Sequence, residues 1–205
     1  MGMTTAAERL GVLGGAFNPP HEGHLLLARE AASGLGLDRV LLVPASRPPH
    51  KTIEDDPGPE VRLRMTELAA EGTEGVEASG IEVERDGPSY SYRTLELLSE
   101  QDPERELFFL MGADVAATLP DWERPERVVE LARLGIAARP GVDPAEVEAA
   151  LERVGAADRA EMIAMPRCDT SSTMARERAA AGKPLRGLVP EAVAEMIERE
   201  GIYAS

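Results

Sequence analysis

The chain of 205 residues is long enough for one compact domain with a sizeable core, but its net charge of −15 excludes a protein that tracks nucleic acid or an anionic membrane through a broad basic face. A single cysteine, Cys168, leaves no intrachain disulfide and no multi-cysteine zinc or iron–sulfur site, which fits a reducing cytoplasm. No apolar run of membrane-spanning length and no charged-then-apolar leader before Gly11 are visible, so a soluble cytoplasmic protein without nucleic-acid or membrane partners is expected.

Met1–Arg9 reads as a short, loosely held extension, and residues 10–205 as one α/β domain. From Leu10, "LGVLGG" is a short apolar run ended by glycines. It leads to a helix from about His24 to Ser33, with Leu25, Ala28 and Ala32 on one face and Gly34 to stop it. "DRVLLVPAS" (38–46) is continuously apolar, as a strand covered on both faces of a parallel sheet should be. "RPPHKTIEDDPGPE" (47–60), with four prolines and no periodicity, predicts a long loop that moves. A helix over Val61–Glu71, a strand at Ile81–Glu84, a turn at Asp86–Pro88 and a helix from Tyr92 follow. "ELFFLMGAD" predicts a buried strand ending at Gly112. Helices at Glu126–Arg133 and Pro144–Val154 flank a strand at Leu134–Ala138. "AEMIAMP" is the last strand, before helices at Ser172–Ala181 and Pro190–Glu200. This alternation predicts a doubly wound parallel sheet that binds ligands at the carboxyl ends of its strands.

Three loops carry candidate chemistry. "GGAFNPPHEGH" (14–24) sits at the end of the first strand, where Gly14 and Gly15 let backbone approach an anion and the following helix offers N–H groups. His21 and His24 lie three apart and face the same way, and Gly23 leaves room for a nucleotide. The chain's three histidines, His21, His24 and His50, all follow the first two strands and number enough for a catalytic zinc. The zinc-protease helix, however, spaces its histidines four apart. Phosphate cradle, metal site and plain turn therefore remain open on the residues alone.

In "PASRPPHK", Lys51 first and Arg47 second can reach over the same cleft toward a polyphosphate, or simply be solvated. In "CDTSSTMARER", Ser171, Ser172 and Thr173 are helix-start residues with no acidic partner at capping-box spacing, and Arg176 lies one turn on. Hydroxyls, guanidinium and helix dipole can meet at one phosphate, or form an ordinary serine-capped helix.

Together "GGAFNPPHEGH" and "SSTMAR" resemble the two signatures, HxGH and SxTxxR, of the nucleotidyltransferase superfamily. "VPASRPPHK", "SYSYRTLELL", "FLMGAD", "LPDW", "ARPG" and "LVPEAVAEMIEREGIY" are similar, in the same order, to segments of bacterial nicotinate-mononucleotide adenylyltransferases. Three positions depart from that pattern: Ala16 and Asn18 stand where the family often has Thr and Asp, and Ser91 where Thr is common. The resemblance implies a Rossmann-like nucleotidyltransferase fold and transfer of the adenylyl group of ATP to the 5′-phosphate of nicotinate mononucleotide, or of the nicotinamide analogue or another phosphorylated acceptor. A three-histidine zinc hydrolase is the rival. It also implies roles. His24 would meet the α-phosphate, and His21, Lys51 and Arg176 the other phosphates, with Gly14, Gly15, Ala16, Phe17, Ser172 and Thr173 as further donors. Gly112 and Asp114 would meet the ATP ribose, and Ser91, Tyr92, Trp122 and Arg139 the pyridine nucleotide. Asp114 could equally cap a helix, and Trp122 anchor its loop. Mg²⁺ is expected to ride on the ATP phosphates without a dedicated protein metal site, and a homodimer is allowed.

Overall fold

The computed structural model describes residues 7–49, 52–139 and 141–204. Six parallel strands, β1 (Arg9–Gly15), β2 (Arg39–Pro44), β3 (Val76–Ala78), β4 (Glu106–Gly112), β5 (Ala132–Ala137) and β6 (Ala160–Ile163), stand in the order β3-β2-β1-β4-β5-β6. The order reverses between β1 and β4, so the connections leaving these neighbours diverge and open a crevice above their carboxyl ends.

Alternation along the strands divides the core. Phe108 and Leu110 face one layer, with α1 (Glu22–Leu35), α2 (Pro59–Glu71), α7 (Ser172–Ala180) and α8 (Glu191–Glu200). Leu107, Phe109 and Met111 face the other, with α3 (Ser91–Gln101), α5 (Pro125–Leu131) and α6 (Pro144–Arg153). The short α4 (Ala113–Ala116) follows β4 directly. Among the described residues no helix is long and apolar enough to cross a membrane.

Several boundaries differ from expectation for local physical reasons. Helix α1 begins at Glu22, two residues early, because His21 caps it. It runs past Gly34 to Gly36, whose left-handed φ of 61° ends it. The strand expected at Ile81–Glu84 is instead a turn closed by Glu84 N–H on the Gly80 carbonyl, and β3 lies upstream. The Glu82 carboxylate is buried there as acceptor for the Thr94 hydroxyl, a pairing that a solvent-facing strand position would not provide. At the opposite edge of the sheet from the crevice, Glu8 bridges Arg39 and Arg105, which ties the residue before β1 to the ends of two neighbouring strands and holds its carboxyl below the usual range.

Two glycines fit the sheet to its helices. A Cβ on Gly135 would lie 2.6 Å from Leu110 Cδ2 and 2.9 Å from Leu35 Cδ1, and one on Gly11 2.8 Å from Leu37 Cδ1. Gly135→Ala is therefore expected to cost about 1–3 kcal/mol through overpacking, read as a lower urea midpoint with an unchanged slope.

Candidate active site

The connection from β1 to α1 builds the floor of the crevice. Phe17 takes a left-handed φ of 48°, uncommon for a bulky residue, and folds its ring under Gly15, where a Cβ would stand 3.3 Å from Phe17 Cε2. The same buried ring lies 4.7 Å from the His24 ring, centroid to centroid, and the His21 ring lies 3.7 Å from that of His24.

The two histidines cap the helix they precede and enter. Gly23 N–H donates to His21 Nδ1 at 3.1 Å, and His21 N–H donates to His24 Nδ1 at 3.2 Å, a reciprocal capping box made of imidazoles. With both Nδ1 atoms accepting, each neutral ring carries its proton on Nε2. Burial, with the nearby positive charge of Arg139, pushes His21 down to about 4. Burial first, then His21 and Arg139, hold His24 well below its ordinary value. The pair thus forms two uncharged N–H donors.

Gly23 has a different reason from the one expected. A Cβ there would stand 3.0 Å from His21 Nδ1 and 3.2 Å from Thr170 Oγ1, so the space it leaves is filled by the His21 ring and not reserved for nucleotide. The first N–H groups of α1 are also less open than expected, because Glu22 N–H donates to Leu188 O and Gly23 N–H is shared with Thr170. That leaves the imidazole Nε2–H groups as the candidate donors of this turn to an anion.

The start of α7 docks against the same turn. Ser171, not Ser172, is the N-cap, accepting from Met174 N–H. The Ser172 hydroxyl donates to Pro19 O at 2.8 Å, so it fixes the turn. Arg176 donates from Nη1 to Asn18 O at 3.1 Å, from Nη2 to Glu54 at 3.3 Å and from Nε to Asp55 at 3.3 Å. Thr173 is exposed and, with Arg176 and Glu54 to Asp56, lines a cavity of about 710 Å³. Asn18 is buried, donating to Glu54 O and accepting from the Tyr203 hydroxyl, whose proton affinity burial raises. Lys51 and His50 lie outside the described residues.

Arg62 was not apparent as a functional candidate, although it shares an apolar face with Met65 and Ala69. Fully buried, its Nη1 donates to Ala16 O (2.8 Å) and Ala45 O (2.7 Å), its Nη2 to Ser46 O (3.4 Å) and its Nε to Asp56 (2.8 Å). One guanidinium thus joins the carbonyls of two crevice loops and ties the acidic loop to both. The signal was present in the sequence: an arginine at the i, i+3, i+7 positions of an amphipathic helix.

The far side of the crevice follows β4 and β5. Asp114 and Arg139, expected at opposite ends of the ligand, form an ion pair at 3.4 Å. Gly112 makes room for them: its Cβ would collide with Asp114 Oδ1 and approach Arg139 Nε to 3.0 Å. Trp122 is partly buried, edge-on to Phe109 with Nε1–H on Thr118 Oγ1, so it anchors its loop. Ser91 begins α3, and Tyr92 stacks beside Tyr90 with the Arg124 guanidinium over its ring. Ser89, absent from the candidates, joins this side to the loop after β2 by accepting from the Ser46 and Arg47 N–H groups.

Among the described residues no group of three or more His, Cys, Asp or Glu side chains converges as metal ligands. The donors that border the turn are the imidazoles of His21 and His24 and the Arg176 guanidinium, groups whose chemistry suits phosphate oxygens.

Residues 12–178 match a cytidylyltransferase-like family profile. The chain is 43% identical over 195 residues to a protein of Roseiflexus sp. (strain RS-1) named probable nicotinate-nucleotide adenylyltransferase, covering 95% of this chain and 97% of that one. A protein of the same name from Gloeobacter violaceus is 41% identical over 96% of each chain. A Plasmodium falciparum nicotinic acid mononucleotide adenylyltransferase, solved with NaAD, superposes with a TM-score of 0.77 at 15% identity, over 96% of this chain and 97% of that one, which shows a shared fold.

The buried histidines give stability a pH dependence of known sign. Unfolded, His21 takes a proton near pH 6.5, and folded only near pH 4. Between those values the unfolded chain binds more protons, so this group's contribution is full above pH 6.5 and falls, by about 3 kcal/mol in the limit, as pH drops to 4. Urea midpoints at about pH 7.5 and about pH 4.5 measure the loss. It should be smaller in His21→Asn, which keeps a capping acceptor without a titrating ring.

Proposed function

The chain belongs to the cytidylyltransferase-like family of nucleotidyltransferases, and we propose that it transfers the adenylyl group of ATP to the 5′-phosphate of nicotinate mononucleotide, releasing pyrophosphate and the nicotinate dinucleotide on the route to NAD. The observation that carries the proposal is the meeting of the two motifs: Ser172 and Arg176 of α7 bond to the carbonyls of Pro19 and Asn18, in the turn that His21 and His24 close. Near-full-length identity of about two fifths to proteins named for this reaction supports it.

A phosphate oxygen of the mononucleotide attacks the α-phosphorus of ATP as the bond to the β-phosphate bridge breaks, and the electron pair leaves on pyrophosphate. The nucleophile is already ionised at neutral pH, so no general base is needed and catalysis consists of alignment and charge stabilisation. His24 Nε2–H donates to the α-phosphate, where non-bridging charge grows. His21, Lys51 and Arg176 take the β- and γ-phosphates, Arg176 by exchanging Glu54 and Asp55 for phosphate oxygens. Backbone at Gly14, Gly15, Ala16 and Phe17, with Ser172 and Thr173, frames the polyphosphate. Asp114 accepts from the ATP ribose beside Gly112, and Arg139, Ser91, Tyr92 and Trp122 border the pyridine nucleotide. Mg²⁺, when bound on the ATP phosphates, neutralises charge on the leaving group. The imidazoles, each with Nδ1 occupied by a backbone N–H, fit a substrate-borne cation better than the three-histidine zinc centre of the rival reading.

Supplying MgATP with the acid or the amide mononucleotide, and following dinucleotide and pyrophosphate, tests the proposal. Preference for the acid supports it, preference for the amide moves the acceptor to nicotinamide mononucleotide, and failure with both removes the assignment. His24→Ala is expected to lower kcat by about 10²–10³ while leaving the circular dichroism spectrum intact, since its donor acts mainly in the transition state. Near-normal kcat would take His24 out of the reaction.

A further inference from the structure

Thr170, in the loop that precedes α7, reaches across to the capped end of α1. Its Oγ1 is 3.1 Å from Gly23 N and 3.4 Å from His21 Nδ1, and Cys168 Sγ lies 3.2 Å from the same oxygen. The Gly23 N–H therefore has two acceptors at equal distance, His21 Nδ1 and Thr170 Oγ1.

The second acceptor changes what the imidazole can do. With neutral His21, the Thr170 hydroxyl donates to Nδ1 and the Gly23 N–H is shared. If Nδ1 gains a proton, it donates to Thr170 Oγ1, the hydroxyl hydrogen turns away, and the Gly23 N–H is still satisfied by the same oxygen. With an aliphatic side chain at position 170, a protonated Nδ1 would confront the Gly23 N–H with no acceptor for either, an unmade pair of buried hydrogen bonds.

We propose that Thr170 is a positioning residue for His21: its hydroxyl backs the Nδ1 edge of the ring so that Nε2–H stays aimed at the polyphosphate whether or not Nδ1 carries a proton. The role rests on the assignment of His21 to the β- and γ-phosphates. The other groups facing His21 are His24 on α1, Arg139 after β5 with its partner Asp114, and Cys168 beside Thr170. Arg139 and burial oppose a proton on His21, and a bound polyanion favours one. Thr170 lets the ring respond without leaving its place.

The full chain, with Thr170→Val and Thr170→Ser variants, tests this with magnesium pyrophosphate as the probe. The ¹⁵N resonances of His21, assigned by their loss in His21→Asn, are followed against pH. In the pyrophosphate complex, His21 of wild type and Thr170→Ser is expected to hold its proton about tenfold more tightly than in Thr170→Val. Thr170→Val is expected to lose about three- to tenfold in kcat with KM for ATP within about twofold, and Thr170→Ser to restore it. Should valine impair folding, Thr170→Ala carries the same comparison.

Identical His21 titration in wild type and Thr170→Val overturns the proposal whatever the rates. So does a Thr170→Val kcat equal to wild type, failure of serine to restore, or a wild-type His21 indifferent to pyrophosphate. Wild-type turnover with MgATP and nicotinate mononucleotide is scored separately: its absence removes the assigned reaction, while the titration still decides the part played by Thr170.

Discussion

The His21 imidazole closes the first turn of α1 by accepting the Gly23 N–H, and the crevice is arranged around that bond. It favours the tautomer with the proton on Nε2, because Nδ1 then accepts from the Gly23 N–H. It crowds position 23, where a Cβ would stand 3.0 Å from the ring. It also brings the ring against His24; burial and then the Arg139 charge lower the proton affinity of His21, and burial, His21 and Arg139 lower that of His24. Neutral donors suit a reaction in which negative charge grows on phosphate oxygens. In the proposed reaction they would stabilise it without a permanent charge whose burial must be compensated before substrate binds.

Permanent charge is supplied by arginines, and each is held by a partner. Arg176 rests on Glu54, Asp55 and Asn18 O, Arg139 on Asp114, and Arg62 on Asp56 and three carbonyls. Their roles differ with burial. Arg62 is wholly enclosed, so it acts as a fixed strut between the carbonyls of two loops. Arg176 touches carboxylates that are themselves largely exposed, a contact that water and salt weaken and a phosphate can replace.

The alternating elements, the parallel sheet and the two motif loops were legible in the sequence because each rests on local periodicity and on glycines and prolines at strand ends. What was not legible depended on contacts between distant segments. The strand misplaced at Ile81–Glu84 became a turn because Glu82 finds Thr94 across it, and the pairing of Asp114 with Arg139 joins the ends of two strands. The motif histidines were visible, but their capping was not, since imidazole is an uncommon cap and its partner Thr170 lies 147 residues from Gly23. Arg62 was hidden for the opposite reason: an arginine within an apolar helical face reads as a flaw in the pattern until its carbonyl partners are seen.

A net charge of −15 and a polyanionic ligand are reconciled by the same pairing. An acidic protein cannot attract ATP through its overall field, so attraction must come from cations uncovered locally. In the proposed role of Arg176, a phosphate that displaced Glu54 and Asp55 would leave the guanidinium with an anionic partner and return the carboxylates, already largely exposed, to water. The exchange changes little in desolvation, because the arginine is shielded before and after. Binding by such substitution would also ease release, since the loop carboxylates that pair with Arg176 stand within reach to take the place of departing pyrophosphate.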